Sequence, residues 1–159
     1  MSAESETATA PDAGANGCQI CEKHEGRGPL VSDLIYADDL VLVYHAKPGR
    51  DGAYLGHLDV ELRRHVRGLA ERSIEEGNTE SAMVTRLAKV LEGFGAEAVY
   101  SFVFDHIPHH HVHVIARYPG TPHEFWGARV DDWPGAPRGN ADAVNEFSAR
   151  VRAALESSP

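Results

Sequence analysis

Five of the chain's ten histidines fall in the eight positions from His106 to His113, within the stretch DHIPHHHVHVIARYPG that runs from Asp105 to Gly120. Imidazole titrates near neutrality, carries a lone pair that attacks phosphorus or binds a metal, and relays protons. In an extended strand, side chains at i, i+2 and i+4 share a face. His109, His111 and His113 therefore project together, with Cβ atoms about 7 Å apart. The opposite face carries His110, Val112 and Val114, and the two valines read as core contacts. A tag remnant or a solvated patch fits this stretch poorly, because it lies inside the chain and alternates with valine.

Metal binding and nucleophilic catalysis remain. The cupin arrangement wants His-x-His followed by Glu, but His113 is followed by Val-Ile-Ala-Arg-Tyr. The His-x-His-x-Asp-His pattern of binuclear hydrolases lacks its Asp here. A His-x-His pair with a distant third histidine stays open, as does a row in which one histidine attacks and its neighbours orient it and stabilise charge. The second chemical cluster is Cys18-Gln-Ile-Cys21. One turn of loop aims both thiolates of Cys-x-x-Cys at one ion, so the pair is a common zinc half-site. The redox alternative needs the pair at a helix start after a strand, whereas here it follows a polar leader. Two free thiols are the third reading.

The elements that position these residues follow from periodicity. Strand-like segments are Leu34 to Tyr36, Leu40 to His45, Tyr54 to Glu61, Val99 to Asp105 and His109 to Arg117, with a tight turn at Asp38-Asp39. The spacing predicts a short helix over His65 to Glu75, which opens into Glu76-Gly77-Asn78. A longer helix is expected over Thr79 to Phe94 and a final one over Ala141 to Leu155. Pro119 to Gly139 reads as an irregular arm holding both tryptophans, Trp126 and Trp133. This order gives an α+β class with a mainly antiparallel sheet of about five strands, a long helix and a C-terminal helix. One domain over 18–159 is expected, with a core at 18–118, a C-terminal arm and helix at 119–159, and a disordered leader over 1–17.

Charge narrows the partners. A formal net charge of −9 argues against general nucleic-acid binding, which wants a basic face. It leaves room for a small anion held by local arginines, for which Arg63, Arg64, Arg67 and Arg117 are the candidates. No run of about 18 apolar residues exists, so no membrane span is expected. The N-terminus lacks a signal peptide's basic start and apolar stretch. These features give the expectation of a cytoplasmic protein, in which Cys18 and Cys21 stay reduced.

His109-x-His111-x-His113-Val-Ile resembles the His-φ-His-φ-His-φ-φ signature of the histidine triad superfamily of nucleotide hydrolases and transferases. Cys18-Gln-Ile-Cys21 resembles the Cys-x-x-Cys of its zinc-containing branch. Tyr54-Leu-Gly-His57-Leu resembles its Gly-His strand, Arg63-Arg-His65-Val its basic-basic-His, and Val114-Ile-Ala-Arg117-Tyr118 the strand leaving the triad. The resemblance covers roughly Cys18 to Tyr118, with the motifs in the family's order. It implies that His111 is the nucleophile and that His113 hydrogen-bonds the phosphate or the departing group. It also implies that Cys18, Cys21, His65 and His109 hold a structural Zn²⁺, and that the protein is a homodimer acting on a small phosphorylated, nucleotide-like substrate. Arg117 or Arg63 is a candidate to neutralise phosphate charge.

The chain also departs from this family. Relatives carry an Asn and Gly loop before the triad and a Ser or Thr three residues before its first histidine. Here the stretch reads Tyr100-Ser-Phe-Val-Phe-Asp105-His106-Ile-Pro108, and His106 takes the hydroxyl's place. His106 is a candidate donor or general acid, or a surface loop residue. An Asp that relatives place at the end of the second strand to hold a ribose is replaced by Val43-Tyr44-His45-Ala46. Three functions therefore compete. The first is a phosphoramidate, dinucleoside polyphosphate or sugar-nucleotide hydrolase or transferase working through a phospho-histidine intermediate. The others are a related enzyme acting on a non-nucleotide substrate of specialised metabolism, and a zinc-stabilised binding module without turnover.

Overall fold

The structure is a computed structural model that describes residues 15–158. Most of the expected leader lies outside the described residues. β1 (Leu34–Ala37), β2 (Val41–His45), β4 (His57–Leu62), β5 (Ala98–Phe102) and β6 (His111–Arg117) form one antiparallel sheet in the order β1-β2-β4-β6-β5. The Asp38 turn forms as expected, with Asp38 Oδ1 accepting from the backbone N–H groups of Leu40 and Val41 at 2.8 Å each. β3 (Ala53–Tyr54) pairs with β7 (Arg138–Gly139) in a small second sheet.

One face of the large sheet is apolar. Val41 and Val43, Leu58, Val60 and Leu62, and Val112, Val114 and Ala116 lie in a single core with Met83, Leu87 and Leu91 of α2 (Ile74–Gly93) and Phe147, Val151 and Leu155 of α3 (Ala141–Ser157). The other face carries His57, Asp59 and Glu61 of β4 beside Ile115, His113 and His111 of β6, paired in that order. The short α1 (Gln19–His24) reaches this face, where Lys23 pairs with Glu61. Because β4 and β6 are interior strands, their polar side chains are enclosed along with the apolar ones.

Four expectations need correction. The segment Tyr54 to Glu61 is two strands, because the chain turns at Gly56. That residue has φ +99°, and a Cβ there would lie 2.5 Å from the Tyr118 hydroxyl, which itself donates to the Leu55 carbonyl at 2.8 Å. The helix expected over His65 to Glu75 does not form: residues 65–73 are irregular, and only the last two positions are helical, as the start of α2. Val66 is buried and its carbonyl accepts from His110 N–H, which holds the segment irregular. The long helix begins at Ile74 and not at Thr79, since Ser73 caps it and Glu76 closes a reciprocal capping box. The triad strand begins at His111, so His109 precedes it and turns towards α1. The arm after Pro119 contains two 3₁₀ turns, His123–Phe125 and Gly127–Asp132. Among the described residues no helix is long and apolar enough to cross a membrane.

Candidate functional site

Cys18 and Cys21 flank the first turn of α1, His65 lies in the loop after β4, and His109 sits just ahead of β6. The four donor atoms all fall within 4.8 Å of one another. Cys18 Sγ is 3.5 Å from His109 Nδ1, and Cys21 Sγ is 3.4 Å from both His109 Nδ1 and His65 Nδ1. Zinc bonds of about 2.3 Å to sulfur and 2.05 Å to nitrogen, set tetrahedrally, separate S and N by about 3.6 Å. The spacing therefore fits one tetrahedral ion. His109 is fully buried and its Nε2–H donates to the Leu62 carbonyl at 2.7 Å, which leaves the Nδ1 lone pair for the ion. Burial also pushes its pKa down to about 4, so the ring stays neutral, as a ligand must. Two other histidines of the chain are engaged elsewhere. His24 Nε2 is 2.8 Å from Glu61 Oε2, and His57 Nε2 is 2.9 Å from His113 Nδ1.

Two residues along, His111 Nδ1–H donates to the His109 carbonyl at 2.7 Å, so the ring presents an unprotonated Nε2. Burial depresses its pKa and keeps that lone pair free. His111 and His113 lie in edge contact, with centroids 4.7 Å apart. The exposed His106 approaches both, at 5.5 Å and 5.8 Å. These three rings, Lys23, Lys47, Asp59 and Glu61 line a cleft of about 110 Å³. The Nε2 of His113 is buried and has no protein partner.

The arginines lie elsewhere. Arg117 stacks on Trp126, 3.8 Å from the ring centroid, with Glu97 3.8 Å away, and it does not line the cleft. Arg63 donates to the Asp38 carbonyl, and Arg64 to Glu76. Lysines, not arginines, supply the cleft's positive charge. Lys23 is buried, pairs with Glu61 and sits 4.4 Å from the Tyr44 ring centroid.

Asp59 and Glu61 escaped the sequence reading. Burial alone would raise the Asp59 carboxyl, but the neighbouring imidazoles of His113 and His57 outweigh it and hold the pKa at about 2. The signal lay in HLDVEL, which alternates polar and apolar residues without a break. What it could not show was that β4 pairs with the triad strand, setting Asp59 opposite His113 and Glu61 opposite His111.

No family model and no curated relative matches the chain. Solved structures do. A Hit-like protein involved in cell-cycle regulation from Bartonella henselae superposes with a TM-score of 0.65 at 21% identity, covering 87% of this chain and 96% of that one. A Zn-bound histidine triad family protein from Mycobacterium smegmatis gives 0.65 at 20% identity, covering 90% and 96%. A hypothetical histidine triad nucleotide-binding protein from Sulfolobus tokodaii gives 0.61 at 15% identity, covering 88% and 93%. With the sheet order, the two helices and the His109–His113 row in place, the chain has the histidine triad fold.

Proposed function

We propose that the protein transfers or hydrolyses a phosphorylated, nucleotide-like substrate through a covalent intermediate on His111 Nε2. The observation that carries this is the His111 Nδ1–H bond to the His109 carbonyl, which leaves Nε2 bare in a cleft lined by two lysines and two further histidines. The lone pair attacks phosphorus, a P–N bond forms, and the bond from phosphorus to the leaving group breaks. The departing atom takes a proton from His113 or His106. Water or an acceptor then attacks phosphorus and returns a proton to the same ring, the P–Nε2 bond breaks and His111 is restored.

In this reading Cys18, Cys21, His65 and His109 hold a structural Zn²⁺, as the Zn-bound neighbour's name and the donor spacing both support. The ion's contribution is to fix the His109 carbonyl, and with it the proton on His111 Nδ1. The nucleotide part is supported by the Sulfolobus tokodaii neighbour, called a hypothetical nucleotide-binding protein. We carry the homodimer as part of the same proposal, to be read by light scattering.

A second reading draws on Asp59 and Glu61. Two carboxylates beside the histidine row oppose a highly charged polyphosphate and favour a less charged substrate, including a non-nucleotide one. One experiment separates the two. Nucleoside monophosphate release is followed over a panel of nucleoside phosphoramidates, dinucleoside polyphosphates and sugar-nucleotides, with wild type and His111→Ala. Release that the variant loses by at least ~10³-fold supports the first reading. Silence of the folded, zinc-loaded wild type across the panel rejects it in favour of the second.

A further inference from the structure

Asp59 is a partly buried carboxylate whose Oδ1 is shut off from solvent, and no lysine or arginine is set against its charge within hydrogen-bonding reach among the described residues. Its neighbour on the same face, Glu61, has Lys23 and His24. Asp59 Oδ1 faces two imidazoles instead: His113 Nδ1 at 2.9 Å and His57 Nε2 at 3.6 Å. Those two nitrogens are 2.9 Å from each other. The angular requirement of a hydrogen bond is met between the rings and not at Asp59, whose Oδ1 has no hydrogen-bond partner. A carboxylate oxygen left so in a buried position is costly.

The triangle has another use. Two imidazole nitrogens and a carboxylate oxygen at 2.9, 2.9 and 3.6 Å match one face of a coordination polyhedron. Bonds of about 2.1 Å separate their donors by about 3.0 Å at right angles and about 3.4 Å at the tetrahedral angle, so the two short edges fit and the long one is within a few tenths of an ångström. Two histidines and one carboxylate on a single face, with the remaining positions open, is a donor set for a first-row divalent transition ion. We propose that His57, Asp59 and His113 form a second metal site, distinct from the four-ligand site and open to the cleft, that takes such an ion.

The site accounts for two orphaned atoms at once. Asp59 Oδ1 gains its partner. Coordination through His113 Nδ1 places that ring's proton on Nε2, the buried atom that has no protein partner. That N–H is then a fixed donor, as the transfer chemistry wants of His113; this consequence rests on the proposed function, whereas the site itself does not. His106, His111 and His113 also bring three ring nitrogens together, but that set lacks an anionic ligand and includes the exposed His106.

Titrating the full chain with Co²⁺ tests the proposal, with bound metal measured by mass spectrometry and the ligand-field spectrum recorded in parallel. Wild type should bind two equivalents, one with a thiolate-to-cobalt band from the cysteine site and one without. Asp59→Asn and His57→Gln should each lose the second equivalent and keep the thiolate band, which also shows that the variant has folded. One equivalent in wild type overturns the proposal, as does a second equivalent that persists in both variants. Metal content is read without substrate, so the two proposals fail separately. Two ions without turnover sinks only the transfer reaction, and one ion with turnover sinks only this site.

Discussion

Glu61 shows how single residues tie the four-ligand cluster to the histidine row. It is almost fully buried on β4, opposite His111, and receives Lys23 and His24 from α1. Breaking a buried pair by removing one charge strands the other, at a cost of roughly 3–5 kcal/mol. Glu61→Gln should therefore lower unfolding free energy by about 3 kcal/mol in urea, and adding Lys23→Met should restore much of that loss. An unchanged midpoint in the single variant would mean that Lys23 reaches water, contrary to the packing described. His109 works in a similar way, with one nitrogen on the Leu62 carbonyl and the other aimed at the cysteines, while its own carbonyl sets the tautomer of His111.

At the scale of elements, α2 is held at its start by Ser73 and Glu76, each accepting from the other's backbone N–H. Ser73→Ala should cost about 1 kcal/mol, read as a lower thermal midpoint with unchanged secondary structure. The cue was present as Ser73-Ile-Glu-Glu76, but Gly77-Asn78 suggested a break. The cap prevails because a glycine inside a helix costs only about 1 kcal/mol relative to alanine. The histidine row, the Cys-x-x-Cys and the five strands were legible because each is a contiguous pattern. The loop around His65 was not, since its shape depends on distant partners: His65 Nδ1 meets Cys21, and the Val66 carbonyl meets His110. Asp59 was invisible for the same reason. Its meaning comes from the register between β4 and β6, a pairing of residues over fifty positions apart that no local window contains.

Across the whole molecule, the four-ligand cluster joins α1, the loop after β4 and the start of β6, closing a span of 91 residues between Cys18 and His109. The sheet and its helices have their own apolar core, so losing the ion should loosen one end and leave the rest folded. Chelation should lower the thermal midpoint by about 20 °C or more, given about 10–16 kcal/mol for structural zinc in isolated finger peptides and about 2–4 °C per kcal/mol at this size. Hydrogen exchange should rise in α1 and residues 63–73 and stay slow in β2, β4 and α2. Global unfolding on chelation would show instead that the core cannot stand without the ion. In the function proposed above, this whole frame serves one bare nitrogen on His111. The most direct test is alkaline rapid-quench intact-mass spectrometry of the zinc-loaded protein mixed with a nucleoside phosphoramidate. A transient gain of one nucleoside monophosphate is expected, mapped to His111 and missing from His111→Ala. Turnover that survives in His111→Ala, or an adduct on another residue, would contradict it.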